Sequence, residues 1–371
     1  MEPVTSFLKT LASKGIKVSA EAGRLNCYAQ KGALTDEIRD GLTRYKSEII
    51  ALLEGGQNRR QAQMDNGSAS GSKEFPLSVG EKGLYIHQKL RPEMSAYNVP
   101  LCFRVNSELN AEILAKAWER TLKQFPILTA RVIEKDGDLY HRLDDGCKTT
   151  IQRRSIDFAD DRQLLPFLRG RVRELFDLNR GPLTRIELFT QGERKSILLI
   201  TVHHIVFDGV SAMVLLKSFF TFYRQLLQGE PVRLSRDLLG YQEFVAWEEA
   251  MLASAEGAAH AAYWRRQLAG ELPVIELLPD LPRSASPDFE EKILVKDLPE
   301  GLSRWVRDFA KAHSFLPSVI FLGVFQLLLH RYTNQDDIIV GMPVMGRAAQ
   351  KFAAEIGYFV NMVPLRARFE E

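Results

Sequence analysis

Cysteine is scarce: three in 371 residues, Cys27, Cys102 and Cys147. They are too few and too scattered for a disulfide framework or a closed zinc site, so no metal is expected, and a reducing cytoplasm is the expected setting. An excess of charge of one sign is also missing. Lys plus Arg is 49 against 47 for Asp plus Glu, a formal charge of +2. That balance gives no electrostatic reason to expect nucleic acid or an anionic membrane as a partner. No continuous apolar run reaches the ~18 residues needed to span a bilayer. The N-terminus carries an acid at Glu2 and breaks its apolar residues with polar ones, unlike a signal peptide. No internal repeat is present. What remains is ordinary globular composition, 45% hydrophobic and 26% charged, in a length that suits two or three domains.

One composition break divides the chain. Residues 55–74, GGQNRRQAQMDNGSASGSKE, offer almost nothing to bury. Such a segment does not offset its conformational entropy and is expected to be a flexible linker, with boundaries at 57–74. It separates a small unit, 1–56, from a large one.

The small unit reads as helix, hairpin, helices. Val4, Phe7, Leu8 and Leu11 follow helical spacing, and Gly15 closes that helix. Residues 16–18 and 25–29 alternate apolar and polar, two short strands with a turn at Glu21-Ala22-Gly23. Ile38, Leu42, Tyr45, Ile49 and Leu52 form one helical stripe, with Thr35 and Thr43 as N-caps and Asp40-Gly41 as a break between two helices. A two-stranded hairpin leaves a strand edge unpaired, a template for strand addition by a partner peptide; charges such as Lys17 and Arg24 are equally suited to blunting it.

The large unit alternates strands and helices. Strands are expected at Val99–Val105, Thr184–Phe189, Ser196–Val202, Lys292–Lys296 and Asp337–Val340. A hairpin, Ala130–Glu134 and Leu139–Leu143, turns at Asp136-Gly137. Helices are expected at Ala111–Gln124, over the stripe Leu215, Phe219, Phe222 and Leu226, at Leu302–His313 and at Val319–Tyr332. This is a mixed α/β (α+β) architecture. The proline-rich stretch Leu268–Pro287 reads as a crossover between two lobes, 75–255 and 256–371.

The densest chemistry lies in 196–211, SILLITVHHIVFDGVS. A buried strand ends in His203-His204, Asp208-Gly209 follow after three residues, and Ser211 opens an amphipathic helix. Consecutive strand side chains point to opposite faces, so the two histidines do not share one cavity. That argues against a two-His metal site and for one working imidazole with one supporting residue. An ordinary imidazole, with pKa near 6.5, suits proton removal from an amine or hydroxyl nucleophile. Asp208 is placed to orient the site or to tie the turn to a distant arginine. The Gly209 N–H, at a helix start, is placed to stabilise an oxyanion. A lone histidine pair is also compatible with simple packing; the whole strand–turn–helix pattern favours chemistry.

The His-His-x-x-x-Asp-Gly segment resembles the corresponding motif of the condensation domains of nonribosomal peptide synthetases, relatives of chloramphenicol acetyltransferase. Other stretches agree in order: Leu77 to Tyr85 resembles the first family motif, Tyr241 to Trp247 the fourth, and Ile356-Gly357-Tyr358-Phe359-Val360-Asn361 with Pro364-Leu365-Arg366 the fifth, preceded by Asp336 to Val344. The resemblance covers 75–371. Residues 11–53 resemble the small docking domains of the tubulysin-synthetase type. Two departures stand out. The arginines of the second family motif are absent from Gln124 to Arg131, so Asp208 needs another partner, for which Arg347 is the candidate. The chain also stops after the fifth motif where the family continues through two more, which implies an incomplete second lobe.

The resemblance implies two chloramphenicol-acetyltransferase-like lobes with a tunnel between them. Donor and acceptor carrier proteins would approach from opposite ends, each bearing a phosphopantetheine thioester, with no cofactor bound directly. His204 would position or deprotonate the acceptor amine, with His203 beside it. Asp208 would be mainly structural through Arg347, Gly209 and Ser211 would lie near the oxyanion, and Ser211 and Asn361 would line the channel. The small unit would take up a C-terminal docking peptide of an upstream synthetase at Lys17, Arg24, Leu25 and Lys31, and the chain would begin a polypeptide of a multi-protein assembly line. His203 argues against a heterocyclising domain and the docking unit against an epimerising one. A non-catalytic docking and recognition fragment, or another acyltransferase with the His-x-x-x-Asp-Gly pattern, remain as alternatives.

Overall fold

A computed structural model describes residues 17–21, 24–28, 35–46, 74–143, 149–157, 160–191, 195–235, 240–278, 294–347 and 349–369. The chain divides into two compact units, Met1–Ser72 and Lys73–Glu371.

In the first unit, β1 (Lys17–Glu21) and β2 (Arg24–Tyr28) pair antiparallel, Lys17 opposite Tyr28 and Glu21 opposite Arg24. The period-two alternation of the sequence becomes this hairpin. Lys17, Arg24 and Leu25 belong to its strands. Lys31, the expected helix at 4–11 and the linker up to residue 73 lie outside the described residues. Helix α1 (Asp36–Arg44) starts after Thr35, whose side chain makes no capping bond. The break expected at Asp40-Gly41 does not occur: α1 runs through both and closes at Tyr45. An interior glycine costs about 1 kcal/mol against alanine, which weakens a helix without ending it. Thr43, expected as a cap, instead returns its hydroxyl to the Arg39 carbonyl at 2.9 Å.

The second unit opens with β3 (Glu74–Pro76), α2 (Val79–Leu90), β4 (Asn98–Val105) and α3 (Ala111–Gln124). The hairpin β5 (Ala130–Lys135) and β6 (Asp138–Leu143) follows, then β7 (Gln152–Ser155), α4 (Asp161–Arg173), β8 (Thr184–Gln191) and β9 (Lys195–His203). After these come α5 (Gly209–Leu227), α6 (Tyr241–Ala253), α7 (Ala255–Gln267), α8 (Glu300–Ala312), α9 (Pro317–Thr333), β10 (Asp337–Val344) and β11 (Asn361–Arg368).

The main sheet has the order β4-β9-β8-β7, antiparallel except for the β7–β8 pair, while β3-β6-β5 and β10-β11 form smaller sheets. β9 is interior and buried from Ser196 to His203, as its near-continuous apolar run requires. Alternate residues of β9 feed two layers. On one face lie α3, through Leu114, Ala117 and Trp118, and α5, through Ser211, Leu215, Phe219 and Phe222. Trp118 meets Phe219 edge-on at 5.6 Å. On the other face α4 lays Leu164 and Leu168 on Phe189, Ile197 and Leu199. Each such buried Leu, Ile or Phe contributes about 1.5–3 kcal/mol of transfer free energy.

The strand expected at Lys292–Lys296 is corrected. Residues 294–296 are irregular, with Leu294 and Val295 exposed, and no described strand lies alongside to pair with them. Residues 268–278, the described part of the expected crossover, are also irregular. They are held to the β10–β11 hairpin by side chains: Gln335 bonds Glu276 N and Val274 O, and Arg366 donates to the carbonyls of Gln267, Ala269 and Glu271. Residues 75–255 and 256–369 fall in one compact unit. Among the described residues no single helix is long and apolar enough to cross a membrane; α8 and α9 pass only as a pair bent by 108°.

Candidate active site

The site forms where β9 ends. His203, its last residue, is 2% exposed, and its Nδ1 accepts the Ile205 N–H at 3.1 Å. Rings of Tyr97 and Phe176 stand edge-on to it, each 6.0 Å away. Burial, and secondarily the adjacent His204, push its pKa down from 6.5 to about 3. His204 starts a single 3-10 turn, His204–Val206, which rotates it out of the strand's alternation. Its N–H bonds the Tyr97 carbonyl at 2.8 Å. Its Nδ1 is buried without a partner, yet the residue as a whole is half-buried. The Tyr358 ring stands edge-on to it at 5.3 Å and the Tyr97 ring at 6.5 Å. Of the two imidazoles, His204 is the accessible one.

The depressed pKa of His203 makes a prediction about acid stability. The unfolded imidazole binds a proton below about pH 6.5; the folded one does not until about pH 3. Between those limits the unfolded chain holds more protons. The His203 contribution is therefore full above pH 6.5 and is lost as pH falls towards 3, by up to ~1.4 kcal/mol per pH unit. His203→Asn, whose Oδ1 stands where Nδ1 stands, is expected to flatten that slope in urea titrations between about pH 7 and about pH 5. Equal slopes for the two proteins would remove His203 as the source.

Asp208 caps α5 and is 2% exposed. Its Oδ1 accepts from Ser211 N–H at 2.7 Å and from Arg347 Nη2 at 2.9 Å, and its Oδ2 accepts from Phe359 N–H at 3.2 Å. Arg347 lies in the turn after β10. It also donates to the carbonyls of Phe352 and Glu355 and to Ser211 Oγ, each at 2.9 Å, with the Phe359 ring 3.8 Å from its guanidinium carbon. Gly346 lets the chain enter this turn: its φ is +63°, and a Cβ there would lie 1.6 Å from the Phe359 carbonyl oxygen.

The expectation that Ser211 lines a channel is corrected. Ser211 is fully buried on the inner face of α5. Its Oγ donates to the Gly357 carbonyl at 2.9 Å and accepts from Gly357 N–H at 3.1 Å as well as from Arg347, so the hydroxyl is saturated by protein. Gly209, the first residue of α5, is exposed, and a Cβ there would meet nothing within 4 Å. Asn361, the first residue of β11, is exposed and paired with Val344.

Tyr97 and Tyr358, the rings beside His204, were assigned no role by the sequence. Tyr97 lies outside the quoted motifs; Tyr358 lies inside the fifth without any periodicity to mark it. The Tyr97 hydroxyl is 2.9 Å from His87 Nδ1. The Tyr358 carbonyl accepts from the Tyr241 hydroxyl at 2.6 Å, and that hydroxyl also lies 3.2 Å from Ser78 Oγ. Ser78 and Glu81 form the capping box of α2, and the Glu81 Oε1 meets His141 Nε2 at 2.8 Å in a fully buried pair. Gly80 gives the Tyr358 ring its room, since a Cβ would come within 2.8 Å of Cε1. Among the described residues no three of His, Cys, Asp or Glu converge as metal ligands.

Comparison with known proteins gives a consistent result. Residues 72–371 match the family model of the condensation domain, and residues 4–55 that of the TubC N-terminal docking domain. The chain is 41% identical over 294 residues to polyketide synthase PksN of Bacillus subtilis (strain 168), covering 79% of the chain and 5% of that protein. It is 26% identical over 366 residues to bacitracin synthase 2 of Bacillus licheniformis, covering 98% of the chain and 14% of that protein. The chain thus spans a small part of the length of these relatives. Among solved structures, the first condensation domain of the CDA synthetase superposes with a TM-score of 0.66 at 20% identity, covering 81% of this chain and 72% of the other.

Proposed function

The chain belongs to the condensation-domain family, and we propose that it joins two carrier-bound substrates through an amide bond in nonribosomal peptide synthesis. The donor is an acyl or peptidyl thioester and the acceptor an aminoacyl thioester. Each rides on the phosphopantetheine arm of a carrier protein in the cytoplasm. One observation carries the reading: the accessible imidazole, His204, stands at the turn into α5, whose exposed first residue, Gly209, leaves open space. His204 accepts a hydrogen bond from the acceptor amine and aims its lone pair at the thioester carbonyl carbon. An α-amine with pKa of about 7.7–8.0 is already partly neutral near pH 7, so alignment contributes at least as much as proton removal. The N–H groups at the start of α5 stabilise the carbonyl oxygen as it takes up charge. Asp208 acts through Arg347 and the backbone it holds. Asn361 lies on the acceptor or donor passage. The 41% identity to a polyketide synthase supports a mixed peptide–polyketide line as the setting.

The test supplies the synthetase that carries this chain with donor-loaded and acceptor-loaded carrier proteins. Mass spectrometry of the acceptor carrier is expected to show the joined product; two intact, unjoined thioesters would overturn the reading.

The first unit serves to dock the C-terminal peptide of an upstream synthetase on the β1–β2 hairpin, with Lys17, Arg24, Leu25 and Lys31 as contacts. Docking acts by raising effective concentration, so removing residues 1–56 is expected to slow transfer from the upstream protein about 10²-fold. Turnover of directly loaded carriers stays unchanged. Equal transfer with and without the segment would end the docking assignment.

A further inference from the structure

Three consecutive residues, Gly357, Tyr358 and Phe359, are pinned through their backbones by three different buried side chains. Ser211 Oγ takes both the N–H and the carbonyl of Gly357. The Tyr241 hydroxyl holds the Tyr358 carbonyl, and the Asp208 carboxylate holds the Phe359 N–H. Two of these clamps, Asp208 and Ser211, belong to the His-His-x-x-x-Asp-Gly segment itself. Gly357 and Phe359 are buried. Tyr358, between them, is half-buried and sends its ring over His204 at 5.3 Å, through the gap that Gly80 leaves. Its hydroxyl has no hydrogen-bond partner among the described residues and is not sealed from solvent. The other phenol beside His204 differs: the Tyr97 hydroxyl is engaged by His87. So much anchoring of one short loop delivers a single free polar group next to the accessible imidazole.

We propose that Tyr358 is a catalytic residue whose hydroxyl donates a hydrogen bond to the thioester carbonyl oxygen while the acceptor amine attacks. The proposal rests on the amide-forming reading and adds a donor from the β10–β11 side of the unit to those of α5. In the step, the amine nitrogen forms the new bond to the carbonyl carbon and the carbonyl π pair moves onto oxygen. That pair returns as the carbon–sulfur bond breaks, the sulfur leaves with its bonding pair, and the proton shed by the amine ends on the thiol. Tyr358 keeps its own proton throughout. Burial, then the nearby Tyr97, Glu81 and Asp208, raise the Tyr358 pKa above 10, so the phenol remains a donor at neutral pH. A donor fixed before the charge develops costs no reorganisation during reaction.

The experiment uses the full synthetase with both carriers loaded and reads single-turnover amide formation. Tyr358→Phe keeps the ring contact with His204 and deletes only the hydroxyl. Its single-turnover rate is expected to fall about 10²-fold, as for loss of one oxyanion donor. Tyr358→3-fluorotyrosine retains ring and hydroxyl but makes a stronger donor, and its rate is expected to exceed that of the unmodified protein, a response that packing alone does not produce. If Tyr358→Phe loses its cooperative thermal transition, the fluorotyrosine series decides: rates that ignore phenol acidity overturn the proposal. An active unmodified protein whose Tyr358→Phe variant stays within about three-fold of it overturns the Tyr358 assignment alone. An unmodified protein that forms no amide overturns the functional reading and this inference with it.

Discussion

His204→Ala is expected to lower amide formation by about 10²- to 10⁴-fold in the synthetase while leaving its thermal transition in place. The expectation of an intact fold comes from the surroundings of the ring. The side chain of His204 makes no hydrogen bond among the described residues, and the rings of Tyr358 and Tyr97 stand edge-on to it. Its backbone N–H, which does bond the Tyr97 carbonyl, survives the substitution. His203 is the informative contrast. It is buried and its Nδ1 holds the Ile205 N–H, so His203→Ala leaves that donor unsatisfied and opens a cavity. The two neighbours should thus fail differently, His204→Ala in rate and His203→Ala first in stability. Single-turnover assays with preloaded carriers, paired with urea titrations, separate them. Turnover by His204→Ala near the unmodified rate would remove the imidazole from the chemistry.

Where a feature of this chain follows from local pattern, it is legible in the sequence. The run Ile197 to Val202 reads as an interior strand because only a strand covered on both faces tolerates unbroken apolar residues, and β9 is that strand. The stripe Leu215, Phe219 and Phe222 likewise becomes the buried face of α5. The same stripe contained the signal that Ser211 is buried, since 211 precedes 215 by one helical step; reading its hydroxyl as substrate-facing ignored that periodicity. α4 passed unread because Pro166 and Gly170 interrupt it and four arginines dilute its face, leaving Leu164 and Leu168 to do the packing. The strand expected at 292–296 fails in the opposite sense over its described part, 294–296. The alternation suits a strand, but a strand exists only when a neighbour accepts its backbone bonds, and local sequence does not say where the neighbour is. The loop 357–359 lies furthest from legibility. Its placement is set by Asp208, Ser211 and Tyr241, each more than a hundred positions away, and no periodicity encodes such contacts.

Arg347→Ala is expected to cost about 3–5 kcal/mol, a large share of the ~5–15 kcal/mol that holds a typical domain folded. The guanidinium is 7% exposed and the Asp208 carboxylate 3%. Its two Nη atoms serve four acceptors: the carbonyls of Phe352 and Glu355, Asp208 Oδ1 and Ser211 Oγ. Removing it leaves Asp208 as a buried charge held only by the N–H groups of Ser211 and Phe359, and it strips the Phe359 ring of the cation against its face. Arg347→Lys does not restore this arrangement, because an ammonium lacks the planar fork that reaches acceptors on both sides. Asp208→Asn should cost less than Arg347→Ala. Arginine would retain three uncharged acceptors, and the amide oxygen still caps α5. Combining Asp208→Asn with Arg347→Met removes both charges, so the double variant should be more stable than Arg347→Ala alone, the signature of a buried pair whose desolvation nearly cancels its attraction. Asp208→Asn, alone or with Arg347→Met, removes the acceptor that holds the Phe359 N–H, so turnover should fall in both and, in the double variant, remain low after stability has partly returned. Urea titrations that place Arg347→Ala within about 1 kcal/mol of the unmodified protein would show the pair to be a solvated surface contact.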